Sequence, residues 1–280
     1  MAAFGPLFCC ERVKECMMDT AAYASILEAA TAAVKESGSI IQDSWHKPRK
    51  VTLKGRIDLV TETDVAVEED LKRRLHAILP EATFLAEESA GNAQLSDLAW
   101  IIDPVDGTTN FAHQIPFVAS SVGLWHKGRM VAAIVNAPIL NECFTAARGH
   151  GSAVNGRPMQ VTATDNLEHA LVSTGFPYSI CENVEEILHW LSKTLVTTRG
   201  VRRCGAAALD FAFVAAGRYD AFYEIGLRPW DTSAGWLLVE EAGGRVTQLD
   251  TNLPFELYSR GVLATNGSLH DTMFTLLKKD

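Results

Sequence analysis

The segment WIIDPVDGTTNF, residues 100–111, decides how this chain is read. An apolar run typical of a buried strand, Trp100-Ile101-Ile102, leads directly into two aspartates, Asp103 and Asp106, separated by Pro104 and Val105. Pro104 fixes φ and has no N–H, which predicts that sheet pairing is interrupted there. Gly107 permits a tight turn, and Gly107-Thr108-Thr109 predicts a helical opening whose unpaired N–H groups suit a phosphate. Two carboxylates on one turn beside such an opening suit divalent cations that prefer oxygen and bridge protein to phosphate. Taken alone, an Asp-Pro-x-Asp-Gly string also reads as an ordinary surface turn.

Three further segments shift the balance. AEES (86–89) puts Glu87 and Glu88 at the end of another apolar strand, and LRPWDTSAGW (227–236) places Asp231 between Trp230 and a helix start. DLVTETD (58–64) ends on Asp64, just before a helical pattern. Singly, Asp231 reads as an N-cap and Asp64 as the cap of a helix beginning at Val65. Together, four acidic segments at strand ends and helix starts argue for a metal site, because ligand sites in α/β folds form there.

Periodicity fills in the surroundings. Tyr23, Ile26, Leu27, Ala30, Val34 and Ile41 predict a helix from about Ala22 to Gln42, followed by a basic loop, HKPRKVTLKGR (46–56). Val67, Leu71, Leu75 and Ile78 predict a second helix over 65–78, closed by Pro80. Strands are predicted at ATFLAEES (82–89), LAWIID (98–103), FVASSVGLW (117–125), RMVAAIVN (129–136) and NECFTAA (141–147), with RGHGSAVNG as a turn-rich loop. His126-Lys127-Gly128 joins two of them as a hairpin. In the second half HALVST, DAFYEI, GGRVTQL and GVLAT read as strands, and VEEILHWLSKTL, AALDFAFVAA, 232–241 and the C-terminus as helices. Gly243-Gly244 supplies a helix stop. No linker or repeat divides the chain, so the pattern implies two intimately packed α/β lobes.

Composition excludes several classes. The 280 residues are 48% hydrophobic and 21% charged, a soluble globular balance, and no apolar run approaches the ~18 residues of a membrane span. Lys and Arg total 25 against 34 Asp and Glu, a net charge of −9, which argues against general nucleic-acid binding. Cys9, Cys10, Cys16, Cys143, Cys181 and Cys204 include no CxxC pair, so reduced thiols in a cytoplasmic protein are expected. The eight histidines contain no HExxH, Ser173 and Ser233 lack a GxSxG context, and GHGSAVNG lacks a dinucleotide-site setting. His150 reads as an exposed turn residue, and Trp190 and Leu191 as helix core. MAAFGPLFCCERVKECMM makes a poor signal peptide. Residues 1–20 are read as a dispensable tail, with Met17 or Met18 as an alternative start.

DLVTETD, LAEES, WIIDPVDGTTNF and PWDTSAGWLLVEEAGG, in this order over roughly residues 22–275, resemble the inositol monophosphatase family of magnesium-dependent, lithium-inhibited phosphatases. The resemblance implies a five-layered αβαβα sandwich: an α+β N-terminal lobe (21–155) carrying most metal ligands, packed on an α/β C-terminal lobe (156–280) that supplies Asp231 and substrate contacts. It implies a homodimer, two to three Mg2+ per site and a small phosphomonoester substrate, with no membrane and no direct nucleic acid. Glu87, Asp103 and the Val105 carbonyl would hold one magnesium. Asp103, Asp106 and Asp231 would hold a second, and Glu87 with water a third. Asp64 and Thr108 would orient the attacking water, and Gly107 and Thr108 would offer N–H groups to the phosphate. Glu224 would read substrate hydroxyls beside the loop Gly205, Ala206 and Ala207.

Physical chemistry agrees with those roles. Five carboxylates with a phosphate dianion carry seven negative charges, which divalent ions would largely cancel. Metal-bound water supplies a nucleophile, and a second ion stabilises the leaving alkoxide. Two positions stand out. Ala206 replaces the Ser or Thr of many relatives, which removes a hydroxyl from the substrate loop. Arg228 reads equally as a substrate contact, a dimer contact or a solvated arginine. Lys54 lies near a metal-loop lysine of the family, in a loose alignment. The expected reaction is hydrolysis of inositol 1-phosphate, with histidinol phosphate and fructose 1,6-bisphosphate as competing substrates. A different class of reading is a transcription-complex partner with secondary catalysis.

Overall fold

The computed structural model describes residues 7–47, 51–53, 59–91 and 93–278. Seven strands form one sheet in chain order: β3 (Thr83–Ala86), β4 (Leu98–Asp106), β5 (Ala119–His126), β6 (Arg129–Ala137), β7 (Glu142–Ala147), β8 (Ser152–Val154) and β9 (Arg157–Met159). Five strands form a second sheet in the order β11 (Gly200–Arg202), β10 (Leu171–Thr174), β12 (Ala221–Ile225), β14 (Gly261–Thr265), β13 (Arg245–Gln248). A short antiparallel pair joins β1 (Val51–Leu53), which lies in the expected basic loop, to β2 (Leu59–Thr61), just beyond it.

The layers follow from alternation of side chains along each strand. On β4, Trp100 and Ile102 face α1 (Leu7–Ser44) and α2 (Glu62–Ile78), joining a core that holds Tyr23, Val34, Ile41, Val67, Leu71 and Leu75. Ile101 points to the opposite face, into a core built with Phe211 of α5 (Ala207–Ala215) and Leu237 and Leu238 of α6 (Pro229–Glu241). Phe222, Val262 and Ala264 of the second sheet close that middle core from beyond. The sheet's outer face, with Tyr223, Ile225 and Leu263, packs on Ile187 and Trp190 of α4 (Ile180–Thr197) and Met273 of α7 (His270–Leu277). The order is helices, sheet, helices, sheet, helices: the expected five-layered αβαβα fold. Among the described residues no helix is long and apolar enough to cross a membrane.

Several boundaries differ from the expectations. Residues 7–21 contain neither Gly nor Pro, and α1 begins at Leu7 rather than near Ala22. Strand β3 ends at Ala86, and Glu87–Ser89 form a single 3-10 turn. The α2 helix starts at Glu62 because Thr61 caps it, and α6 starts at Pro229. The loop at 148–156 is partly a hairpin, β8 with β9, turning at Asn155-Gly156. The hairpin of β5 and β6 turns through Lys127 and Gly128, both at positive φ, as its sequence predicts.

Candidate active site

The site is organised by an irregularity in β4. In a regular strand Asp103 would share a face with Val105, and Asp106 would point away. Pairing with β5 instead shifts register between Asp103, opposite Ser121, and Asp106, opposite Ala119. Pro104 interrupts the ladder, as its missing N–H requires, and its carbonyl accepts from Ser120 Oγ at 2.7 Å. The shift seats Val105 in the outer core and leaves Asp106 reaching the middle helix layer, where its Oδ2 accepts the Ala208 N–H at 2.7 Å. Asp106 thereby ties β4 of one sheet to the first turn of α5 under the other.

Each aspartate commits an oxygen to the backbone. Asp103 Oδ1 accepts from Val105 N–H at 3.0 Å, and Asp231 Oδ2 from Arg228 N–H at 2.7 Å. Asp231 is therefore the third residue of α6 and not its cap, and Asp64 holds the corresponding place in α2. Asp64 Oδ2 accepts from the backbone N–H of Thr61 at 3.0 Å and from the Thr61 hydroxyl, closing a capping box. Its other oxygen, Oδ1, lies 3.0 Å from Thr108 Oγ1, which is also 3.0 Å from the Val105 carbonyl. One hydroxyl proton serves only one of these acceptors at a time. Asp64 is therefore the third residue of α2 and not the cap of a helix beginning at Val65; Thr61 is the cap, and Asp64 closes the capping box while its other oxygen engages Thr108.

Electrostatics show which carboxylates gather. Asp103 is buried, and its pKa stands well above the usual range, first through burial and then through the charges of Glu87, Asp106, Asp231 and Asp64. Burial pushes Asp106 up to about 7 against the opposing Ala208 N–H, with Glu87 adding to the rise. Glu224, on β12, reaches about 8 through burial and the charge of Asp231. Burial also raises Asp64, against the hydrogen bonds from Thr61 and Thr108. Among the described residues no three carboxylate, imidazole or thiol groups close into a finished metal cage. The donor set nonetheless fits a hard divalent cation: oxygens only and crowded, with Asp103 and Asp106 raised in pKa first by burial and then by neighbouring carboxylates.

The remaining predicted residues line the same region. Gly107 caps α3 (Thr108–Ala112) at φ +88, and a side chain there would meet the Phe117 carbonyl at 2.9 Å and Ala206 Cβ at 3.2 Å. Ala206 is buried against Gly107, so its methyl fills a packing position beside α3. Asn110 Nδ2 donates to Phe117 O at 2.9 Å and Cys204 O at 2.8 Å, fastening the Gly205–Ala207 loop to α3. Arg228 is exposed, with its backbone on Asp231, and His150 is exposed in its turn. Lys54 lies outside the described residues.

Three contributors escaped the sequence reading. Asp210 is buried on α5, its pKa raised by burial and by Glu224, and Oδ1 has no hydrogen-bond partner; Ser173 stands near without bonding geometry. A lone acid inside the apolar run AALDFAFVAA was the available signal. Arg203, over the Phe176 ring at 5.3 Å, opposes the charges of Glu224 and Asp210. Gly175 makes room for Glu224: a Cβ there would lie 2.0 Å from Glu224 Oε2. Gly175→Ala is expected to displace that carboxylate and raise KM with little change in melting temperature. Steady-state kinetics with a thermal melt check this, and an unchanged KM would remove Glu224 from substrate recognition.

A sequence model of the inositol monophosphatase family matches residues 22–279. The chain is 39% identical over 260 residues to the Nus factor SuhB of Pseudomonas aeruginosa, covering 90% of this chain and 96% of that one. It is 39% identical over 249 residues to the inositol-1-monophosphatase of Synechocystis sp., covering 88% and 86%. The crystal structure of extragenic suppressor protein suhB from Bartonella henselae superposes with a TM-score of 0.86 at 36% identity, covering 91% and 99%. The chain belongs to the inositol monophosphatase family, a family of metal-dependent phosphatases.

Proposed function

We propose that this protein hydrolyses inositol 1-phosphate to inositol and phosphate, using two to three Mg2+ held by Glu87, Asp103, the Val105 carbonyl, Asp106 and Asp231. The observation that carries the reading is the buried Asp103 with four further carboxylates raising its pKa, one of them hydrogen-bonded to Thr108. Bound magnesium would cancel that charge, acidify a water and steady the leaving oxygen. The chain's own groups do the rest. Asp64 orients Thr108, whose hydroxyl holds the attacking water in line. The amides of Gly107 and Thr108 face the phosphate, as the left-handed Gly107 allows. Glu224 accepts hydroxyls of the leaving polyol beside Gly205, Ala206 and Ala207, and Gly175 leaves it space.

The 39% identity with a protein named inositol-1-monophosphatase supports the substrate. Specificity constants for inositol 1-phosphate, histidinol phosphate and fructose 1,6-bisphosphate test it. Inositol 1-phosphate is expected to lead, and a lead of about a hundredfold by another ester would keep the chemistry and replace the substrate. We place the protein in the cytoplasm, as a lithium-sensitive homodimer, on the strength of the family resemblance.

Similarity to a Nus factor over 96% of its length favours a second reading, association with a transcription complex through a protein partner. Recovery of the same partner by wild type and by an inactive Asp103→Asn variant would separate binding from chemistry. No recovery with either leaves the phosphatase reading alone.

A further inference from the structure

Glu68 stands one turn after Asp64 on the same face of α2, and it is buried at 4% exposure. Its Oε2 accepts the backbone N–H of Glu88 at 2.8 Å, and its Oε1 takes Lys72 Nζ at 2.8 Å. Lys72 also donates to Ser89 Oγ. The 3-10 turn at Glu87–Ser89 receives no side-chain cap from Ala86, the residue before it. Its first amides therefore need an acceptor from elsewhere, and a buried carboxylate supplies a strong one. The amide held by Glu68 belongs to the peptide group that joins Glu87 to Glu88. Fixing that group holds the Glu87 Cα in place and so restrains where the Glu87 side chain leaves the backbone.

A Glu and a Lys four residues apart are often only a surface ion pair, worth a few tenths of a kcal/mol. Here the acid is buried and its second oxygen is spent on another element, which such a pair does not require. The helix that carries Asp64 to Thr108 with one side chain thus grips the Glu87 turn with another.

We propose that Glu68, supported by Lys72, is a positioning residue that sets magnesium affinity by locking the Glu87 turn at a fixed distance from Asp64 and Thr108. The inference rests on Glu87 being a metal ligand, as in the function proposed above.

The test uses the full chain, with calorimetric Mg2+ titration in the absence of substrate and hydrogen exchange at the Glu88 amide of metal-free protein. Glu68→Ala is expected to weaken Mg2+ binding by about 10–100-fold and to speed exchange at Glu88. Glu68→Gln keeps an oxygen that can accept the same N–H, and it should return most of both losses. A merely structural role would lower the melting temperature without separating the two variants in metal affinity. Unchanged affinity and protection in Glu68→Ala, or equal losses in Ala and Gln, would overturn the inference. If Glu68→Ala does not fold, Lys72→Met carries the test: weaker binding by a folded protein is expected, and unchanged binding sinks the idea. A wild type that binds no magnesium overturns the metal reading itself, and this inference with it, before any variant is read.

Discussion

Replacing Asp103 with asparagine is expected to remove phosphate release, by about 10²–10³-fold or more, while raising the melting temperature of the metal-free protein. The two effects share one cause. Asp103 is buried amid four other carboxylates, so in the absence of cations its charge is unfavourable to the fold. An amide of the same shape removes that repulsion and can still accept the Val105 N–H now held at 3.0 Å. The same amide is a poor ligand for a hard divalent ion and carries no charge to offset it. Each kcal/mol of repulsion relieved corresponds to about 2–4 °C in a chain of roughly this size. Thermal melts in chelator with a phosphate-release assay check both halves. A variant that is inactive and also less stable would make Asp103 a structural residue and remove the ground for a metal cluster. Stability lost to a working site is the expected trade at a place where function selects crowded charge.

Without metal, the wild-type protein is expected to lose stability as pH rises from about 4 to about 8, the reverse of the usual carboxylate trend. Asp106 is raised to about 7 and Glu224 to about 8, each first by burial, and Asp103 is raised in the same direction, also first by burial. A carboxyl with a raised folded-state pKa keeps its proton in the native state when the unfolded chain has already released it. Its stabilising contribution is whole below the unfolded pKa and disappears as pH passes the folded one. A tenfold difference in proton affinity between folded and unfolded chain amounts to about 1.4 kcal/mol. Saturating magnesium should flatten the decline by ionising the cluster, and binding near pH 6.5 should release protons. Calorimetry in buffers of different ionisation enthalpy measures that release. Metal-free melting temperatures that are flat or rising over this range, or binding without proton release, would contradict the charge-cluster account.

Much of this was legible from residue spacing. Trp100-Ile101-Ile102 reads as a strand buried on both faces, and β4 is one. The two aspartates after it read as a site because both fall on one turn beside the helical opening at Gly107-Thr108-Thr109. What spacing could not give was their facing: three positions apart in a regular strand, they would point to opposite sides. Only the register shift at Pro104 turns both to the middle layer, and its size depends on the pairing partner, Ala119 opposite Asp106. Asp231 shows a similar limit. Its motif reads as an N-cap, but Pro229 opens the helix two residues earlier and makes Asp231 the third residue.

Long-range contacts explain the other omissions. Gly175 looks like a turn residue until Glu224 is found across β10 and β12. Glu68 belongs to a charged helix face in sequence, and only the return of the chain at Glu88 gives it a buried partner. Strand β1 was hidden inside a basic run whose charge suggested a loop, and its partner β2 inside the acidic segment DLVTETD; strand character there comes from Val51-Thr52-Leu53 and Leu59-Val60. The five layers, by contrast, came from the family resemblance alone, since periodicity by itself implied only two packed α/β lobes.

The most direct test of the central claim is phosphate release from inositol 1-phosphate by the wild-type protein as Mg2+ is titrated from zero. The account predicts no release in chelator and a rise with magnesium to a plateau. Release at full rate in chelator, or none at any magnesium concentration on any phosphomonoester, would contradict it.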